Sequence, residues 1–227
     1  ASDVYKRQIL DSVYPDDARI TNQCDELIKK NHEIHLFCLS FNHVFIENEV
    51  LNKINIHRYY CSKITYKLSA LANDINLYNN ILKNKIIDFI RKTKVDFLHI
   101  HDIQIAQAAI SASNIFNIKY NIDLHENRPE IMKFYKHVNS FFGKIFISPA
   151  RWKIAEEKFV KSANKVIVVT KHAKKELVSR VNIDEEKVII YPNTVRKSFY
   201  KNKSIDKKLE KKYLKNFVMI YVGNTSK

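Results

Sequence analysis

Five short strand-like runs recur along the chain: IHLFCLS (34–40), VDFLHIH (95–101), YNIDLH (120–125), KVIVVT (165–170) and KVIIY (187–191). Runs this apolar suit strands covered on both faces of a parallel sheet. Parallel neighbours cannot be joined by a tight turn and need a crossover of helix length. Helical spacing supplies the crossovers: a first helix after the VYPDDARI loop with Ile20, Cys24, Leu27 and Ile28 on one face, then 63–93 in two pieces, 103–116, 151–163 and 171–181. Strand–helix alternation predicts an α/β fold, a doubly wound, mostly parallel, Rossmann-like sheet. A weaker strand is expected at 54–60, a clipped one at 9–12, and a last one at 217–222 (FVMIYV) ending in Gly223. No internal repeat interrupts the order.

Local chemistry marks the first helix. Asp16 or Asp17 can cap it, because a short carboxylate accepts the free N–H groups of the first turn. Asn31 stands where a glycine commonly ends a helix, and asparagine is the next-best residue for left-handed geometry.

At 227 residues with 45% hydrophobic side chains, one full domain with a sizeable core is expected. The opening octet ASDVYKRQ resembles a translated adapter sequence, so 1–8 are set apart as a non-native scar. The expected domains are 9–197, Rossmann-like; 198–215, a basic connector; and 216–227, the start of a truncated second domain. Cys24, Cys38 and Cys61 show no CxxC spacing, which argues against a disulfide framework or zinc site and fits a reducing compartment. No apolar run approaches the ~18 residues of a membrane span. The two glycines, Gly143 and Gly223, exclude a GxGxxG or Walker-type phosphate loop.

Open α/β sheets bind ligands beyond the carboxyl ends of their strands. That rule singles out Asp16, Asp17 and Arg19; His101 and Asp102; His125 and Glu126; Thr170 and His172; and Asn193. Two strands ending in His followed by a carboxylate admit two readings. His99 and His101 with His125 and Glu126 could gather a metal. Alternatively His125 and its neighbours grip a polar substrate, with the imidazole carrying a proton; the expectation is no metal. A nucleophilic triad is unsupported, since no serine stands in a GxSxG elbow.

The formal charge of +15 calls for a polyanionic partner: nucleic acid, an anionic membrane or a phosphorylated substrate. The segment 133–161 mixes Phe134, Tyr135, Phe141, Phe142, Phe146 and Trp152 with Lys136, Lys144, Arg151 and Lys153. It reads either as aromatics packed into the core with solvated charges outside, or as a surface resting on an anionic bilayer.

Taken in order, these pieces resemble the family-4 glycosyltransferases. YPDDARITNQCDELIKKNHEIHLFCLS looks like the family's opening Asp–x–Arg loop, helix and "GH-x-V" strand start, with Asn31 for the usual Gly. VDFLHIHD resembles "D-x-x-H-x-H-D", and YNIDLHENRPE resembles "D-x-H-E-x-x-P-E". SANKVIVVT is similar to "AD-x-V-I-x-V-S/T", with Asn164 for Asp. KVIIYPNTV is similar to the "K-x-x-V-I-P-N-G-V" hinge, with Thr194 for Gly. FVMIYVGNTSK looks like the first strand and glycine turn of the second domain. The resemblance implies a GT-B fold of two facing Rossmann-like domains, the N-terminal one holding the acceptor and the C-terminal one a nucleotide-sugar donor. It implies transfer with retention and no cofactor or essential metal. It places His125 near the transferred sugar as the catalytic candidate and Asp17, Arg19, His101, Asp102 and Glu126 on the acceptor side of the cleft. Thr170, Asn193 and Gly223 fall at the donor side or hinge.

The partners so implied are the donor, held by the missing domain, and a glycan or lipid-linked acceptor in surface polysaccharide or glycoconjugate synthesis. The expected location is the cytoplasm, with peripheral contact at the inner face of an anionic membrane as an added partner. The chain alone is expected to be inactive. A non-catalytic acceptor-binding subunit of a two-chain enzyme is the alternative. A basic nucleic-acid-binding protein is the third reading, and no nucleic acid is expected, because no helix-turn-helix, zinc finger or aromatic RNA-binding signature appears.

Overall fold

The computed structural model describes residues 6–194 and 206–219. The chain divides into two compact units, Ala1–Asn193 and Thr194–Lys227. In the first, eight strands form one sheet in the order β3-β4-β2-β1-β5-β6-β7-β8. They are β1 (Lys6–Ile9), β2 (Ile34–Ser40), β3 (Asn48–Leu51), β4 (Ile54–Tyr60), β5 (Phe97–His101), β6 (Lys119–Leu124), β7 (Lys165–Val168) and β8 (Val188–Ile190). Every pairing is parallel except β3 with β4. The long helices are α1 (Ala18–Lys29), α3 (Leu77–Thr93), α4 (Ile103–Ile115), α8 (Pro149–Ser162) and α9 (Lys171–Val181). The short ones are α2 (Lys63–Lys67), α5 (Arg128–Met132), α6 (Lys136–Asn139) and α7 (Phe141–Phe146). The doubly wound, mostly parallel sheet is the fold the alternation predicts.

The two faces of the sheet are built differently. On one, Ile9, Leu98, Ile100, Ile122, Val166 and Val188 pack against Leu82, Ile86 and Phe89 of α3, Ala109 of α4, Trp152 of α8 and Leu177 of α9. On the other, Leu36, Cys38, Ile54 and Ile56 form a smaller core beneath Ile20 and Cys24 of α1. The chain moves one way from β1 to β2 through α1, and the other way from β5 to β8. The topological switch point therefore falls at β1 and β5, whose carboxyl ends open the crevice.

Three features depart from expectation. The first strand is Lys6–Ile9 rather than 9–12, so residues 6–8, set apart from the fold, are part of the sheet. The polar side chains of Arg7 and Gln8 find partners there: Arg7 donates to the Thr93 carbonyl and Gln8 accepts from His101 and Cys24. The edge hairpin β3–β4 was not anticipated. Its turn residues Asn52 and Lys53 both have positive φ (50° and 66°), the two-residue geometry that matches strand twist without a glycine. In the second unit, Asp206 caps α10 (Lys207–Tyr213), accepting from Lys208 N at 2.9 Å and Leu209 N at 3.3 Å. The strand expected at 217–222 is absent over 217–219, where no neighbouring strand of that unit is described for it to pair with; the remainder and Gly223 lie outside the described residues.

Asparagine takes the left-handed position after three helices, and Lys94 takes it after α3. Asn31, Asn117 and Asn182 take φ of 59°, 52° and 52° after α1, α4 and α9. Among non-glycine residues asparagine enters this region most readily, by hydrogen bonding locally.

Candidate active site

Asp17 sets the start of α1, its Oδ1 accepting the N–H groups of Arg19 at 2.8 Å and Ile20 at 3.1 Å. Arg19 then reaches across the strand ends to β6. It grips Asp123 through both oxygens, Nη2 to Oδ1 at 2.7 Å and Nε to Oδ2 at 3.1 Å. Its remaining nitrogen donates to the Tyr191 carbonyl at 2.7 Å and Asn193 Oδ1 at 2.8 Å, and the guanidinium lies 4.9 Å from the Tyr191 ring centre. One planar fork thus joins α1, β6 and the segment after β8, a geometry lysine cannot supply. Gln23 Nε2 adds a third bond to Asp123, to Oδ2 at 2.6 Å. Burial alone would raise the Asp123 carboxyl; His99, Arg19 and His101 more than offset it and hold the group well below the usual range. Of these the Arg19 fork is the firm bond, because His99 Nε2 stands 3.6 Å from Oδ2, beyond hydrogen-bonding distance.

A chain of imidazoles runs beside this fork. His101 is fully buried at the end of β5, with Nε2 3.1 Å from Gln8 Oε1 and Nδ1 3.0 Å from His125 Nε2. Burial first, and His99 next, hold His101 well below the ordinary imidazole value, so it is neutral. Gln8 Oε1 can only accept, which assigns the His101 proton to Nε2 and leaves Nδ1 to accept from His125 Nε2–H. His125 Nδ1 then faces Asp102 Oδ2 at 3.8 Å and Asp17 Oδ2 at 3.9 Å. The His125 side chain is 16% exposed, enough for one edge to meet a ligand while the other is fixed.

Asp102 follows β5 in a backbone conformation rare for a residue with a Cβ, φ 66° and ψ 160°. Residues held in this region commonly mark functional positions. Its N–H bonds the Asp123 carbonyl at 2.9 Å and its Oδ1 accepts the His125 N–H at 3.4 Å, tying the two strand ends together. Burial raises its carboxyl, with His125 and Arg128 opposing.

Asp17, Arg19, His101, Asp102 and His125 therefore come together at one rim, and Asn193 joins them through Arg19. Glu126 is turned instead to Arg128, 2.8 Å away. Thr170 caps α9, its hydroxyl accepting from Ala173 N at 3.0 Å. Four further participants escaped the sequence reading. Asp123 sits inside a strand body, Gln8 in the octet set apart, and Gln23 on a helix; only the tertiary fold brings them to Arg19 and His101. Asp11, just past β1, is buried with Oδ2 unpartnered, and burial and the nearby Asp102 push it up to about 7.

Among the described residues a metal-binding geometry does exist, with His99 and His101 as expected but with Asp123 in place of His125 and Glu126. One ligand atom from each of His99, His101 and Asp123 lies within 4.8 Å of the others, whereas Glu126 belongs to its own ion pair. Asp123 is already engaged by a cation, Arg19, which a divalent ion would have to displace or tolerate. Below these groups a cavity of about 250 Å³ lies between the sheet and α1, lined by Gln8, Gln23, His99, Asn121 and Ile167 among others.

A doubly wound sheet with its titratable groups gathered at the carboxyl rim is the architecture of a Rossmann-like ligand-binding domain. The profile of Glycosyltransferase Family 4 matches residues 18–199, and the chain belongs to that family. Solved structures similar to it include sucrose-phosphate synthase from Thermosynechococcus elongatus (TM-score 0.64, 11% identity, 85% of this chain and 48% of that one). A glycosyltransferase from Rickettsia africae aligns with TM-score 0.57 and 17% identity over 95% of this chain and 50% of the other. The E. coli trehalose-6-phosphate protein bound with UDP-2-fluoro glucose gives 0.59 and 11% over 92% and 54%. The chain thus spans about half the length of these three structures, and at these identities the likeness concerns the fold. No curated protein matches it in sequence.

Proposed function

We propose that this chain is the acceptor-side domain of a glycosyltransferase that moves a sugar from a nucleotide-sugar donor to a glycan or lipid-linked acceptor with retention, without a metal or other cofactor. The observation that carries the reading is the His125 imidazole. One nitrogen is fixed by a buried neutral histidine, and the other edge is open at the rim between two carboxylates. Such an edge can hold a sugar hydroxyl and take up or release a proton without moving. The Arg19–Asp123 fork does not face the reaction; it sets the spacing between α1, β6 and the segment after β8, and so positions Asp17 and His125.

Charge on a departing nucleoside diphosphate must be met by fixed donors. In this reading they belong to the donor-binding domain, and the 227 residues alone are inactive. The cytoplasm, at the membrane's inner face, is the compartment that fits, and surface polysaccharide or glycoconjugate synthesis the process. Release of nucleoside diphosphate from a panel of nucleotide sugars, measured for the chain alone and joined to a family-4 donor-binding domain, tests the assignment. Turnover only in the joined form, lost in His125→Ala, is expected. Robust turnover by the chain alone, or an unaffected His125→Ala, would sink it.

A further inference from the structure

Between residues 131 and 150 the chain carries three lysines and no carboxylate. Three short helices, α5 to α7, occupy most of this span. They are anchored from below by Met132 and Val138, both buried. Their large apolar side chains are only partly used. Phe134 is 79% exposed and Phe141 77%, and Ile145 and Phe146 are each more than half exposed. Lys136 and Lys144 stand exposed among them, while Lys133 is held by Glu130 at 2.5 Å.

Arg151 bonds Asp74 at 2.9 Å and reaches the Phe146 carbonyl at 3.4 Å, tying the end of α7 to the segment before α3. The lysine-bearing span follows the carboxyl end of β6, the end of the sheet that carries His125.

Contiguous exposed apolar side chains mark an interaction surface. Aromatic rings flanked by lysines, with no acid between them, suit a layer that is apolar inside and anionic at its boundary. A second copy of the chain suits it poorly. A two-fold dimer sets the same patch against itself, lysine facing lysine, between chains of net charge +15.

We propose that the face bearing Phe134, Phe141, Ile145 and Phe146, with Lys136 and Lys144, docks on an anionic phospholipid bilayer, the phenylalanines entering the interface and the lysines meeting phosphates. The proposal reads out as membrane binding, so it stands or falls independently of sugar transfer.

Co-sedimentation of the whole chain with phosphatidylcholine vesicles, with and without phosphatidylglycerol, is the test. Binding should favour the anionic vesicles and fall about tenfold or more in Lys136→Glu/Lys144→Glu and comparably in Phe134→Ser/Phe141→Ser/Phe146→Ser, with thermal unfolding unchanged. Because the single Trp152 is buried, Phe141→Trp adds an interfacial reporter whose emission brominated lipid should quench. Equal binding to neutral and anionic vesicles, a Phe→Ser triple variant that binds like the parent, or a dimer that this triple variant dissolves with no vesicle binding would each overturn the proposal.

Discussion

The two faces of the same strands do opposite work. Ile9, Leu98, Ile100 and Ile122 look into the large core and need nothing but volume. Their alternate neighbours Gln8, His99, His101, Asn121 and Asp123 share the other face, paired in register across β1, β5 and β6. A parallel sheet flanked by helices normally buries apolar side chains on both faces. Here one half of one face has been given to a polar network that costs desolvation and is held by many short bonds. The difference teaches where to look: polar residues in strands that should be apolar are tolerated where neighbours meet most of their polar atoms, His99 Nε2 being an exception, and meeting them fixes the rim geometry that a ligand meets.

The largest effect expected from breaking this contrast is at the fork. Arg19→Ala leaves Asp123 buried without its cation and should lower stability by about 3–5 kcal/mol in chemical denaturation. Ile100→Ala, on the apolar face, should cost about 2–5 kcal/mol through the cavity it leaves. The double variant Arg19→Met/Asp123→Leu separates the two kinds of stability. It should recover much of the loss while the joined enzyme stays inactive; recovery of both would show the network to be packing alone.

Asp11 offers a pH test of the same polar side. Its carboxyl is raised in the folded protein to about 7, so the native state holds a proton that the unfolded chain releases near pH 4. Its stabilising contribution is complete below about pH 4 and is lost as pH rises through about 7, a change on the order of 4 kcal/mol at most. The parent should therefore weaken relative to Asp11→Asn across that interval in paired denaturation curves. A constant difference between the two from pH 4 to 8 would remove Asp11 from the network.

His125 should behave oppositely to Arg19. His125→Ala, at a partly exposed rim position, should leave the unfolding temperature close to the parent's and cut sugar transfer by about 100-fold or more. A large stability loss with proportionate activity loss would instead mark it as structural. The smallest effect is at Asp102. Replacing it with glycine should relieve the unusual backbone and raise stability by about 1 kcal/mol, while activity falls; unchanged activity would make the strain incidental.

Much of this was legible beforehand, and the reasons differ by element. Ile34–Ser40 and Lys171–Val181 lie where the pattern places them: the first is a near-continuous apolar run buried on both faces, the second a helix with one buried stripe. The Asp17 cap could be read because it acts over two or three residues. The hairpin at Asn52 and Lys53 was missed because its turn lacks glycine; asparagine and, at 53 and 94, lysine stand where glycine is usual. In the site, His101, Asp102 and His125 were visible as polar residues at strand ends, while Asp123 was hidden inside a strand and Gln8 lay in a segment set aside.

The sequence by itself determined the class of fold and the rim on which chemistry can occur, since both follow from local periodicity and the direction of parallel strands. Tertiary structure alone decided that Arg19 grips Asp123, 104 residues away, and that Gln8 orients His101, 93 residues away. Such pairings depend on which strands become neighbours and in what register. Those are settled by packing over the whole sheet, and no stretch of chain short enough to read as a motif contains them.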